Sequence, residues 1–175
     1  MKIDILSIFP NMFEGFLNES IIKRAREKGI VDIKIHDFRL FSKDPHKKVD
    51  DYQFGGGKGM ILMPEPIYDC VESIKTEDSY VILMTPQGEK YNQKKANELK
   101  NHKHLIIICG HYEGFDERIR ALADIELSIS GTAIRAISRG WLIIFIPWNE
   151  NIIIKVSKSP TIVYLSKDGI NTLFK

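Results

Sequence analysis

The sequence predicts an α/β fold on a mainly parallel sheet, and three observations carry that prediction. Strand-like and helix-like patterns alternate through residues 1–129, the order that feeds parallel strands through helical crossovers. Leu105–Ile108 run apolar without a polar break, as suits a strand buried on both faces. Two apolar runs end in glycine-bearing turns, TPQG at Thr85–Gly88 and GHYEG at Gly110–Gly114. Open α/β sheets place ligands at that carboxyl end of their strands.

Taken in order, Ile3–Phe9 form a first strand closed by Pro10. Asn11 caps a helix over about residues 12–28, with Met12, Phe13, Phe16, Leu17 and Ile21 at helical spacing and Gly29 at its end. Val31–His36 alternate as a second strand. Asp37–Gly59 form a long polar loop, a length that in a compact domain marks function or disorder. Pro64–Lys75 make a helix with proline at its start. Tyr80–Met84 are a buried strand broken by TPQG, and Asn92–Lys100 a short helix. Asp116, Glu117 and Arg118 begin a helical pattern with acids in its first turn, as the helix dipole prefers. Ile125–Ile129 are a last short strand. His102 and His104 flank Lys103 with no third ligand at metal spacing, and read as a surface connection.

Composition narrows the class. The chain has 175 residues, 43% hydrophobic and 27% charged, which fits a soluble globular domain, with or without an appendage. Trp141–Trp148 are too few residues to cross a bilayer and contain Pro147. The N-terminus lacks the small-residue cleavage site of a signal peptide. Cys70 and Cys109 are isolated in apolar settings, as reduced core thiols of a cytoplasmic protein would be, and no metal-binding spacing occurs.

Four segments bear on chemistry. Gly55–Met60, GGGKGM, resembles a phosphate loop, but Lys58 is followed by Gly59 and Met60 rather than a hydroxyl that could hold magnesium. A nucleotide triphosphatase is thereby disfavoured. Gly55, Gly56, Gly57 and Gly59 still open backbone N–H groups toward a ligand or RNA phosphate, a flexible surface loop being the alternative. Asp50 and Asp51 could act as a base or hold a cation, or simply face solvent. His46, Lys47 and Lys48 could touch phosphate. The TPQG and GHYEG turns would form a small-molecule pocket if their strands are neighbours, with Gln87 as a polar edge.

The ordered set IFPNMF, VDDYQFGGGKGM, PEP, PQG and CGHYEGFDERI closely resembles the bacterial tRNA (guanine-N1)-methyltransferases of the SPOUT superfamily, from Met1 to about Ile129. The resemblance implies a parallel α/β domain with a trefoil knot, S-adenosylmethionine as methyl donor, and a homodimer with sites at the interface. Its substrate would be tRNA with a guanosine 3′ of the anticodon, methylated on N1. Thr85, Pro86 and Gly88 match one wall of the donor site, Gly110, Tyr112 and Glu113 another, and Ile129 the start of a third. The VDD-x-x-x-GGG-x-GM segment, with Asp50, Gly55, Gly56, Gly57 and Gly59, matches a loop that helps hold tRNA and the target base. Gln53 stands where the family commonly has proline, a change expected to loosen that loop.

Residues 130–175 depart from the pattern. They contain ten isoleucines, both tryptophans, six basic residues and only two acids, against 19 basic and 21 acidic residues before them. The family's Gly-Asp-Tyr knot loop, the helix with its catalytic arginine, the linker with its catalytic aspartate and the closing helical domain find no match. Arg135, Arg139 and Asp168 sit in no matching context. The change reads as a frame-shifted or divergent tail that alters the knot and replaces the family's C-terminal domain. Two further readings stand beside an impaired methyltransferase: a non-catalytic remnant that binds adenosyl ligand or RNA weakly, and an unrelated α/β nucleotide-binding enzyme.

Overall fold

The computed structural model describes residues 1–129 and, beyond them, only the backbone of four strands. Five strands, β1 (Lys2–Leu6), β2 (Asp32–His36), β5 (Ser79–Lys90), β6 (His104–Cys109) and β7 (Ile125–Ser128), form one sheet in the order β2-β1-β6-β5-β7. Every neighbouring pair is parallel. The apolar run of β6 explains its central place. Leu105 and Ile107 bury into one face of the sheet, and Ile106 and Ile108 into the other. All four are fully buried, each stabilising the fold by about 1.5–3 kcal/mol relative to exposure.

The helices divide between those faces. Against the first pack Phe16 and Leu17 of α1 (Glu14–Leu17), Ile22 and Ala25 of α2 (Ser20–Glu27), and Ala96 and Leu99 of α4 (Gln93–Leu99). Against the second pack Ile67, Cys70 and Val71 of α3 (Pro64–Ile74), with Phe38, Ile119 and Leu122 from two 3-10 turns, Phe38–Phe41 and Glu117–Leu122. Connections toward the β2 edge carry α1, α2 and α4. Connections in the opposite direction carry α3 and the Glu117–Leu122 turn. Exchanging face with direction gives all of these crossovers one hand, as the handedness rule for parallel sheets requires.

Several local expectations are corrected. The first strand ends at Leu6. The helix expected over residues 12–28 is three pieces: a 3-10 turn Pro10–Phe13, then α1, then α2. The break falls at Asn18–Ser20, where Ser20 takes φ 50°, a left-handed conformation that helix interiors exclude. The loop Asp37–Gly59 holds the Phe38–Phe41 turn and the first strand of a hairpin, β3 (Asp50–Tyr52), which pairs antiparallel with β4 (Met60–Leu62). The helical pattern after Asp116 is 3-10, and Asp116 caps it by accepting from Arg118 N–H at 2.9 Å.

His104 is no surface residue. It is 3% exposed, and its Nε2 lies 2.6 Å from Oδ2 of Asp4, itself fully buried in β1. His36 Nε2 lies 2.7 Å from the other carboxylate oxygen, and Lys2 Nζ 2.7 Å from Oδ2. Asp4 thus ties β1 to strands on both sides. Burial alone would raise its pKa, but the hydrogen bonds from His36, Lys2 and His104 outweigh burial and hold the carboxyl well below the usual range.

In the remainder, β8 (Ile146–Trp148), β9 (Asn151–Lys155), β10 (Ile162–Ser166) and β11 (Gly169–Leu173) form a second sheet, antiparallel, in the order β11-β10-β9-β8. The knot implied by the resemblance, with Arg135, Arg139 and Asp168, lies outside the described residues.

Candidate functional site

The two glycine turns meet. Parallel pairing aligns Met84 of β5 with Cys109 of β6, so Thr85 and Gly110 leave the sheet side by side. The turn after Met84 does not end its strand, contrary to expectation. Met84 and Glu89 both register with Leu127 of β7, so Thr85–Gly88 bulge from a strand that then resumes. Gly88 permits the resumption: a Cβ there would stand 2.5 Å from the backbone C of Glu126 and N of Leu127. It packs against the neighbouring strand and does not line the cavity beside it.

That cavity, about 310 Å³, opens between the β5 bulge and the turn that follows β6, within the size of small-molecule sites. Leu83, Pro86 and Phe115 give it apolar walls, and Thr85, Gln87, Glu113, Glu117 and Arg120 polar ones. Arg120 braces the bulge. It donates through Nη2 to Gln87 Oε1, and its Nε and Nη1 lie 3.3 Å and 3.5 Å from Glu117 and Glu126 carboxylate oxygens. Thr85 Oγ1 donates to Glu126 Oε2 at 3.1 Å. The cavity therefore pairs an anchored guanidinium with two carboxylates, Glu113 and Glu117, beside an apolar surface.

Of the expected donor-site residues, Thr85, Pro86 and Glu113 line this cavity, whereas Gly88, Gly110, Tyr112 and Ile129 do not. Tyr112 stands at φ 56° and packs with the α3 face of the core. Burial raises its pKa and Asp50 adds to the rise, while Arg39 opposes it. His111 packs edge-on against Phe9 and Tyr112, with ring centroids at 4.9 Å and 4.6 Å. Burial lowers its pKa, which keeps the ring neutral at neutral pH. Ile129 packs on the first face of the core. Phe115, Glu117 and Arg120 were not legible as cavity residues. Glu117 and Arg120 meet at i,i+3 spacing on the 3-10 turn.

The glycine hairpin is fastened to this cavity. Glu113 N–H donates to Met60 O at 3.0 Å, Leu62 N–H to Gly114 O at 2.9 Å, and Asp116 N–H to Leu62 O at 3.0 Å. Gly55, Gly56 and Gly59 take φ of 89°, 82° and 91°, values that favour glycine. Asp50 and Asp51 do not act as a pair. Alternation along β3 turns them to opposite faces, Asp50 half-buried and Asp51 exposed. Tyr52 N–H donates to Asp51, Lys48 Nζ lies 3.3 Å from it, and both lower its pKa. Gln53, expected to loosen the loop, donates from Nε2 across it to Lys58 O at 3.3 Å. Among the described residues no cluster of three or more His, Cys, Asp or Glu could hold a metal ion, and no helix is long and apolar enough to cross a membrane.

Fold and cavity define a parallel α/β domain with a glycine hairpin joined to the rim of a pocket. More particularly, the chain belongs to the tRNA (guanine-1)-methyltransferase TrmD family, whose model matches residues 1–136. It is 58% identical over 132 residues to the tRNA (guanine-N(1)-)-methyltransferase of Geobacillus kaustophilus, covering 74% of this chain and 54% of that protein. Proteins of the same name from Anoxybacillus flavithermus and Malacoplasma penetrans are each 56% identical, over 133 and 129 residues. The matches cover 74% of this chain and 54% and 57% of those proteins. The chain thus spans little more than half the length of the curated relatives it matches. The family match runs to residue 136, slightly past the boundary expected at Ile129.

Proposed function

We propose that this chain is by descent a tRNA (guanine-N1)-methyltransferase, with S-adenosylmethionine bound between the TPQG and GHYEG turns and tRNA along the hairpin Asp50–Leu62. The observation that carries this reading is the meeting of the two turns in one cavity. The residues there fit the donor. Leu83, Pro86 and Phe115 offer an apolar surface for an adenine ring. Glu113 offers acceptors for ribose hydroxyls or the ammonium group, and Arg120, held by Gln87, Glu117 and Glu126, fixes the polar wall. S-adenosylmethionine supplies an activated methyl group, so the chain's residues need mainly to bind and align it.

The remaining chemistry falls to groups that the tail does not match. Guanine N1 must lose a proton to a base, and charge developing on O6 calls for a cationic or N–H donor. The family's aspartate and arginine for those tasks have no counterpart after Ile129. We therefore read residues 130–175 as a divergent or frame-shifted tail and the activity as impaired. That mismatch also favours the second reading, a non-catalytic remnant that retains weak affinity for adenosyl ligand or RNA. Homodimerisation and a cytoplasmic location belong to the same family reading; exposed Phe9 and Met12, beside the His111 turn, offer apolar surface for a second copy.

Calorimetric titration of the chain with S-adenosylmethionine tests the donor site. Saturable binding is expected, weakened about tenfold or more by Glu113→Ala, which removes a charged hydrogen-bonding partner. No heat of binding at millimolar donor would overturn the assignment of the cavity.

A further inference from the structure

The hairpin carries two aromatic rings that the fold does not use. Phe54 is 107% exposed and Tyr52 77%, while Phe13, Phe16, Phe38 and Tyr91 are all buried. The exposed rings stand beside a backbone stripped of side chains. Gly55 and Gly56 lie in left-handed conformations with nothing within 4 Å of where a Cβ would be. Lys47 and Lys58 make no ion pair among the described residues, and Asp51, the exposed acid nearby, is engaged by Lys48. The hairpin's base is fixed by the β3–β4 pairing and by the Glu113–Met60 hydrogen bond, so the segment that carries both rings is joined to the cavity rim.

Exposed rings on a glycine-rich hairpin that carries Lys58, with Lys47 just before it in sequence, have the chemistry of a platform for unpaired nucleobases. Every base offers a π-face to stack, and the cations answer the adjoining phosphates. We propose that Phe54, with Tyr52 behind it, stacks on an unpaired base of an RNA loop and holds that loop against the donor pocket. This inference rests on the reading that the substrate is tRNA and names the contact by which its loop is gripped. An acidic peptide would use the lysines but gain little from the rings, and a second protein copy would use the rings but gain little from the lysines.

The test uses the full chain and an anticodon stem-loop RNA with 2-aminopurine 3′ of the anticodon, with a fully paired RNA as control. Phe54→Leu keeps the apolar volume and removes the π-face. It is expected to weaken stem-loop binding about 5- to 100-fold, the range for losing one stacked base, with paired-RNA binding and unfolding midpoint unchanged. Phe54→Trp is expected to retain affinity. The 2-aminopurine emission should quench with the parent and the Trp variant and not with Phe54→Leu. Equal stem-loop affinity of parent and Phe54→Leu would overturn the stacking role while leaving the tRNA reading intact. A parent that fails to bind the stem-loop at low salt would overturn both. A change in oligomeric state on Phe54→Leu, with RNA affinity unmoved, would assign the ring to a second copy of the chain and overturn the proposal.

Discussion

Gly59 and Glu113 compete for one small volume: a Cβ added to Gly59 would overlap Cγ of Glu113 and stand 3.2 Å from its Cδ. Gly59 also holds φ at 91°. The glycine is what lets the hairpin lie against the pocket wall. Gly59→Ala is expected to cost about 1–3 kcal/mol through backbone strain and overpacking, and to push Glu113 out of place. Urea denaturation reads the first effect and calorimetry with S-adenosylmethionine the second. Unchanged values for both would mean that the hairpin and the pocket are independent.

A second glycine packs directly against a neighbouring strand. Gly88→Ala places a methyl group 2.5 Å from backbone atoms of Glu126 and Leu127, atoms that have no rotamer to give. The expected outcome is a loss of about 1–3 kcal/mol or more in urea denaturation as β5 separates from β7. A stability equal to the parent's would show that the bulge at Thr85–Gly88 relaxes freely.

Asp4 is expected to make the fold sensitive to acid. Its folded pKa lies below the unfolded value of about 4, so its contribution is full above about pH 5 and is lost as pH falls toward the folded value. Asp4→Asn leaves the rings of His36 and His104 without their carboxylate, and is expected to cost about 3–5 kcal/mol at pH 7. The variant should also show a flatter decline in stability between pH 5 and pH 3. Denaturation midpoints across that range check both, and a parallel decline in parent and variant would assign the acid sensitivity elsewhere.

The parts of the fold that were legible in sequence are those fixed by local pattern. Leu105–Ile108 announced a strand buried on both faces, and the alternation of strands and helices announced a parallel sheet. Adjacency of the two turns followed from placing both at strand carboxyl ends. What stayed hidden depends on distant partners. His104 is buried because Asp4, a hundred positions earlier, needs a donor. The strands β3 and β4, three residues each, pair with one another, and β4 is fastened to residues 113–116. The break at Asn18–Ser20 interrupts an apolar spacing that continues through it. Arg120 reaches Gln87 only once β5 and the 3-10 turn have been brought together.

We propose that residues 1–129 supply a donor pocket and an RNA-facing hairpin, and that residues 130–175 do not supply the family's base and charge-stabilising arginine. Missing a general base typically costs about 10²–10⁴-fold, and missing a charge-stabilising donor about 10²–10³-fold. The direct measurement is radiolabelled methyl transfer to tRNA bearing the target guanosine, by the chain as it stands and by a version with a family-type carboxyl part grafted after Ile129. The account predicts trace transfer by the first and robust transfer by the second. Robust turnover by the unmodified chain would contradict it, since residues 130–175 would then be supplying both the missing wall and the missing base.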